Sequence, residues 1–264
     1  MLNSILHING SKIIAKDGEI GHVKEAYFDD DNWTIRYLVV DTGAWLSGRE
    51  VLISPYAVVQ PLAQPPVLRS TSGKQIGVSL TQQQVIDSPT TETHLPVSRQ
   101  HEREMSRYYA FPAYWEGGEL WAMSALPLVP APLPTTVESE AEAAKRASEV
   151  PLEDVHLRSS ANVTGYDLQA SDDSIGHVSD FIFDDESWAI RYLVVDTRNW
   201  LPGGKKVLIA TQWIERIDWA DMTVFTTLTR AEVKASPAYD ESAIISRDYE
   251  ERLHASYSRA DYWD

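Results

Sequence analysis

The sequence predicts a mainly β chain with short α-helices (α+β), in which one strand-rich unit with a helical C-terminal extension is written twice. Three observations predict it. The run IRYLVVDT occurs at Ile35–Thr42 and again at Ile190–Thr197. Short runs with strand periodicity surround each copy. Each copy then ends in a charged segment that opens with a helix-capping signature.

Eight consecutive identities do not arise by accident in a chain of 264 residues. With ordinary composition each position matches about once in seventeen. The similarity also runs past the octapeptide. Ile20-Gly-His-Val23 matches Ile175-Gly-His-Val178, and Val51-Leu-Ile53 matches Val207-Leu-Ile209. Further on, Ser88-Pro89, Ser98-Arg99 and Tyr114-Trp115 match Ser236-Pro237, Ser246-Arg247 and Tyr262-Trp263. The first copy holds extra residues between Gln60 and Ile76, a Pro- and Ser-rich stretch that reads as a longer loop. The expected organisation is repeat 1 with its tail over residues 1–126, a Pro/Ala/Glu-rich linker over 127–151, and repeat 2 with its tail over 152–264. Each repeat is long enough to be expected to fold as a self-sufficient closed module.

Within a repeat, Ile20–Phe28 alternates in the manner of a strand. Asp29–Asn32 supplies turn residues, and Trp33–Asp41 follows at hairpin distance. Ile35, Tyr37 and Val39 point one way along it while Leu38 and Val40 point the other. A strand apolar on both faces is covered on both, which suits a small barrel or a sheet enclosed by other elements. Glu50–Ile53 and Gln75–Leu80 read as further short strands, as does Met222–Leu228 in the second copy. Thr81-x-x-Gln84 and Thr229-x-x-Glu232 have capping-box spacing, so a short helix is expected after each, stopping at Pro89 or Pro237. Val97–Tyr109 and Ile245–Tyr257 read as a second helix closed by an aromatic tail.

Gly-x-Val in a strand, an Asp-rich turn, an aromatic, and then Arg-Tyr-x-Val-Val occur in this order twice. The pattern resembles the PRC-barrel family, found in the H subunit of the photosynthetic reaction centre and in the C-terminal domain of the ribosome maturation factor. LTRAEVKASPAYD at Leu228–Asp240 and SRDYEERLHASYSRADYW at Ser246–Trp263 also resemble bacterial PRC-barrel proteins of unassigned role. The resemblance covers nearly all of both copies. It implies two small β-barrels in tandem, each followed by a helical extension, and a binding scaffold rather than a given chemistry. On this resemblance the sequence is expected to differ from the H subunit in having no membrane anchor, and from the maturation factor in having no N-terminal RNA-associated domain.

Composition narrows the function classes. There is no cysteine, which excludes disulfides, thiolate catalysis and Cys-ligated metal sites and fits a reducing, cytoplasmic setting. The net charge is −16, and no Lys/Arg cluster supplies the basic face that nucleic-acid binding needs. The acidity serves solubility or a basic protein partner. No window has the length of apolar sequence needed to span a bilayer, and the N-terminus lacks the pattern of a signal peptide.

The search for chemistry finds no catalytic, cofactor-binding or metal motif. His22 and His177 read as equivalent strand residues without a second ligand at metal spacing. Asp29-Asp30-Asp31 and Asp184-Asp185-Glu186 read as solvated hairpin turns rather than calcium loops. Asp41 and Asp196 are expected to cap a turn or to pair with Arg49 or Lys205. More suggestive are the loops carrying Trp45-Leu46 and Trp200-Leu201, which can anchor a partner protein or fold back over one end of a barrel. Arg36 and Arg191 are expected in cation–π or salt-bridge contacts, or at a partner. Tyr114-Trp115 and Tyr262-Trp263 are candidates for sealing a contact between the two barrels, packed with pseudo-twofold symmetry like a homodimer. The expected function is therefore a non-catalytic protein-interaction scaffold with no cofactor. Two alternatives accompany it: a soluble H-subunit-like protein docking peripherally on a membrane complex, and a small-ligand or enzymatic site between the barrels.

Overall fold

The computed structural model describes residues 1–59, 74–89, 97–129, 157–198 and 203–263. They form two compact units. The N unit comprises Asn9–Arg158 and Glu186–Trp188; the C unit comprises Met1–Ile8, Ser159–Asp185 and Ala189–Asp264. These units differ from the sequence repeats at their opening segments and at Glu186–Trp188, which lies in repeat 2 but belongs to the N unit. The first eight residues of repeat 1 belong to the C unit, and Leu157 and Arg158 of repeat 2 belong to the N unit. Each unit takes its opening segment from the other repeat.

The chain opens with β1 (Leu2–Ser4) and a single-turn helix, α1 (Ile5–Ile8). The N unit continues with β2 (Lys12–Ile14), β3 (Glu19–Asp29), β4 (Thr34–Asp41), β5 (Glu50–Ile53) and β6 (Gln75–Gly77). Their order in the sheet is β5-β4-β3-β2-β6, with β2 and β6 parallel, and β7 (Leu157–Ser159) pairs with β3. The helices α2 (Gln82–Ile86) and α3 (Arg99–Tyr109) follow the sheet.

The C unit repeats the plan. A single-turn helix, α4 (Ser160–Val163), leads into β8 (Asp167–Gln169), β9 (Ser174–Asp184), β10 (Ile190–Asp196), β11 (Lys206–Ala210), β12 (Ile214–Asp218) and β13 (Thr223–Thr226). The order is β11-β10-β9-β8-β13-β12, with β1 added antiparallel to β9. Helices α5 (Arg230–Ala235) and α6 (Arg247–Ser256) form its extension. Both capping boxes form as the spacing predicts: Thr81 with Gln84, and Thr229 with Glu232.

Local physics explains why the two copies keep the same residues. β4 is buried over seven consecutive positions, so it needs apolar residues on both faces. The long strands β3 and β9 each carry two breaks in register against their partners. Such bulges bend a sheet toward closure. Gly21 and Gly176 sit where the neighbouring strand crosses closely: a Cβ there would lie 2.1 Å from the carbonyl oxygen of Asp41 or Asp196. Only glycine fits, which accounts for the duplicated IGHV.

The strand exchange is held by matched polar contacts. In the C unit Leu2, Asn3 and Ser4 lie opposite Asp184, Phe183 and Ile182. Asn3 Nδ2 donates to Asp185 at 3.0 Å, the Ser4 hydroxyl donates to Asp180, and the Leu6 amide donates to Asp180 at 3.1 Å. In the N unit, Arg158 Nε donates to Asp30 at 2.7 Å. Asn3 and Arg158 are equivalent positions, as are Asp185 and Asp30. Ile5 and Ile8 are buried in the C unit and add its apolar share.

Removing Leu2–Ile8 therefore withdraws two buried isoleucines and an edge strand from the unit built on the other repeat. We expect a loss of about 4 kcal/mol or more in the C unit. Hydrogen exchange checks it: amide protection at Ile182–Asp184 falls, while protection at Tyr27–Asp29 is unchanged. Loss of protection at Tyr27–Asp29 instead would contradict the exchange.

Candidate interaction surface

The duplicated Arg, Tyr and Trp residues assemble first as clamps that hold each helical extension to its own barrel. In the N unit, Arg36 on β4 is 2% exposed. Its guanidinium donates to Asp29 at 3.0 Å and to the Leu120 carbonyl, and lies 3.8 Å from the Tyr114 ring and 4.8 Å from the Trp121 ring. Behind it, Glu102 of α3 is fully buried. It accepts from Tyr114 at 2.7 Å, from Arg99 at 3.1 Å, and from the Tyr37 hydroxyl. Arg99 also stacks on Trp115 at 4.4 Å. A buried carboxylate is tolerated only when its oxygens are saturated with donors, and here they are. Burial pushes the Tyr37 and Tyr114 hydroxyls well above the ordinary phenol range, and the neighbouring Glu102 charge adds to it.

The C unit repeats the clamp. Glu250 of α6 accepts from Tyr192 at 2.8 Å and from Tyr262 at 2.9 Å, and pairs with Arg247 at 3.3 Å. Arg191 lies over the Tyr262 ring at 4.5 Å and Arg247 over Trp263 at 3.9 Å. Burial, with hydrogen bonding to Glu250, pushes the Tyr262 hydroxyl up to about 12. One partner is particular to this unit. His254, fully buried, meets the Tyr192 hydroxyl through Nε2 at 3.0 Å and the Ala260 carbonyl through Nδ1 at 2.9 Å. A carbonyl only accepts, so Nδ1 carries a hydrogen.

Six of the ten residues singled out in the sequence thus lie in these clamps: Arg36, Tyr114, Trp115, Arg191, Tyr262 and Trp263. The glutamates at their centres, Glu102 and Glu250, were missed. Their signal was present, because Ser98-Arg99-x-x-Glu102 and Ser246-Arg247-x-x-Glu250 share one spacing.

The aspartate turn also departs from expectation. Asp29 is buried rather than solvated. It accepts from the Asp31 and Asn32 amides as well as from Arg36. The carboxylates of Asp29, Asp30 and Asp31 lie within 4.8 Å of one another, but Asp29 is committed to Arg36 and Asp30 to Arg158. His22 is exposed on β3, with Nε2 3.8 Å from Glu19, and His177 is half-buried on β9.

Trp45 is placed differently. It is 36% exposed on a tight 3-10 turn, Gly43–Leu46, with Leu46 half-buried beside it. The turn is fastened at both ends. Asp41 accepts from the Gly43 amide at 2.8 Å, and the Thr42 hydroxyl donates to the Arg49 carbonyl at 2.6 Å. Arg49 does not pair with Asp41; its guanidinium donates to the Ile86 and Ser88 carbonyls at 2.9 and 2.7 Å, bracing the loop against the end of α2. In the C unit Lys205 plays the same part, donating to the Lys234 carbonyl at 2.9 Å and to that of Ser236 at the end of α5. A cation at the carbonyl end of a helix is favoured electrostatically. Asp196 pairs with Arg198 there, whose hydrogen bonds hold its carboxyl at about 2. Trp200 and Leu201 lie outside the described residues.

With this geometry in place, the comparisons agree with it. The PRC-barrel domain family model matches residues 7–61 and 158–226. The chain carries two PRC-barrel domains in tandem, mostly β with short C-terminal helices. No curated protein matches the chain. Among the described residues no helix is long and apolar enough to cross a membrane.

The clamp has a pH signature. Burial pushes the Asp29 carboxyl up, but the Arg36 charge and the hydrogen bonds from Arg36 and Asn32 more than offset it, so Asp29 titrates below the ordinary carboxylate value. Its stabilising contribution is complete above the unfolded value of about 3.9 and is lost as pH falls through the lower folded value. Arg36→Met leaves that carboxylate buried without its cation. We expect a loss of about 3–5 kcal/mol at neutral pH, shrinking as pH falls toward about 4, where protonation relieves the stranded charge. Urea melts of both proteins across that range check it; a penalty independent of pH would contradict the assignment.

Proposed function

We propose that the chain is a non-catalytic protein-interaction scaffold built from two PRC-barrels, with the Trp45 loop of the N unit as its contact residue. One observation carries the reading. The duplicated aromatics of the tails are turned inward onto their own barrels, whereas Trp45 is held outward on a turn fastened by Asp41, Thr42 and Arg49. A rigid, exposed tryptophan loses little freedom on binding, and tryptophan is the residue most enriched among interface hot spots. The net charge of −16 suits a partner with a basic rim around an apolar pocket. The absence of cysteine suits a reducing compartment such as the cytoplasm.

The test compares the full chain with Trp45→Ala by affinity capture under native conditions. The reading predicts a partner recovered in stoichiometric amount by the full chain and lost with Trp45→Ala. Its melting temperature should stay within about 2 °C, because a surface truncation costs at most about 0.5 kcal/mol. Equal capture by both proteins would rule Trp45 out as the contact.

A further inference from the structure

The turn that carries Trp45 is tied to two other elements of the N unit. Its anchor, Arg49, donates to the Ile86 and Ser88 carbonyls at the end of α2. The Tyr108 hydroxyl, near the end of α3, donates to the Gln84 carbonyl of α2 at 2.9 Å. Each of the three elements leaves a large apolar side chain in solvent: Trp45, Ile86 and Tyr108 are 36%, 37% and 39% exposed. Two carboxylates accompany them. Asp41 is exposed at the foot of the turn. Asp87 is exposed next to Ile86, and its charge, after desolvation, helps push the Tyr108 hydroxyl up.

The fold does not require these residues, because the other copy does without them. At the equivalent positions the C unit has Lys234 for Ile86, Ala235 for Asp87 and Ser256 for Tyr108. It also has Arg198 for Gly43, and that arginine pairs with Asp196, the counterpart of Asp41. Among the described residues Asp41 has no such cation; it accepts from the Gly43 amide. Asp87 accepts from the uncharged Gln83 side chain at 2.8 Å. The four exchanges run in one direction: two cations are lost, and one carboxylate and two apolar side chains are gained. The cations that remain nearby are engaged. Arg49 is spent on carbonyls, Lys24 pairs with Glu50, and Arg107 follows Glu104 by one turn of α3.

We infer that this face is the docking site for a basic segment of another protein, one that sets apolar side chains between Lys or Arg residues. The apolar side chains pack on Trp45, Ile86 and Tyr108, and the cations meet Asp41 and Asp87. Charge complementarity decides the occupant. A second copy of the chain, at a net charge of −16, brings mostly like charge to the face. An anionic membrane surface is repelled in the same way. A cation carried in beside an apolar contact that excludes water gains more from each carboxylate than it would in bulk solvent. The inference rests on the reading of Trp45 as a contact residue, and adds to it the neighbouring side chains and the charge of the partner.

The test selects ligands for the full chain from a library of random peptides about twelve residues long. Selection is done at about 50 mM salt, where surface charge is weakly screened. The expected peptides carry Leu, Phe or Trp with Lys or Arg on both sides. Their binding weakens about tenfold or more with Ile86→Lys/Asp87→Ala, which installs the residues of the C unit, and it weakens as salt rises. Tyr108→Ser weakens it too, and serves as the second variant should the double one fail to fold. Selected peptides poor in Lys and Arg, peptides bound equally by these variants, or no selection at all would overturn the inference. Where such peptides are still lost with Trp45→Ala, the Trp45 reading stands without it; peptides indifferent to Trp45→Ala remove that reading as well. Self-association of the full chain that the double variant abolishes would assign the face to a second copy and likewise overturn the inference.

Discussion

Each barrel is closed at its entry by a strand that belongs, in sequence, to the other repeat. β1 lies on β9 and β7 lies on β3, so the pairing partners of Leu2–Ser4 are found at Ile182–Asp184. Everything downstream depends on this constraint. In each unit the long central strand takes one of its partners from the other repeat, far away along the chain. Exchange of an identical element between protomers is a low-cost route to a dimer. A duplicated gene carrying that exchange inside one chain makes it permanent, and the near-identical polar anchors, Asn3 to Asp185 and Arg158 to Asp30, preserve both sides of it.

A second layer rests on the barrels. In both units a buried glutamate from the last helix gathers a tyrosine from the central strand, a tyrosine from the tail and an arginine one turn back. This accounts for the abundance of Tyr and Trp in a chain of modest size. The rings are spent on packing arginines and on covering a desolvated carboxylate, where a flat apolar surface and a single hydroxyl are both needed. The copies differ in detail: Ser106 and Ala57 stand where the C unit has His254 and Trp213, and Arg36 is held by Asp29 and the Leu120 carbonyl as well as by its ring.

Much of this was legible in the residues. The doubled IRYLVVDT, the alternation of Ile20–Phe28 and the spacing Thr81-x-x-Gln84 each state a local physical requirement, and the corresponding strands and capped helices form. The strand exchange was not legible, because equivalent segments such as Leu2–Ser4 and Leu157–Ser159 can pair with either repeat on pattern alone. Which pairing wins is decided by connection and geometry, not by composition. The clamps were half legible. Arg36 and Tyr114 stood out as repeated, whereas Glu102 is marked only by the spacing it shares with Glu250 after a repeated Ser-Arg pair. The β12 strand was missed because Ile214–Asp218, IERID, carries charges at Glu215, Arg216 and Asp218 and so lacks strand alternation, and because it lies at an edge of the sheet.

The direct measurement is a choice offered to one cysteine. The native chain has none, so any bridge reports only the engineered pair. Leu2 lies opposite Asp184 in β9, and Asp29 is the matching position in the first repeat. With cysteine at 2 and 184, mild oxidation should join them within a monomer, because opposed antiparallel positions lie within disulfide reach. With cysteine at 2 and 29, no bridge should form. Efficient bridging of 2 to 29, with 2 and 184 left reduced, would show each repeat closing on its own strand and would contradict the account.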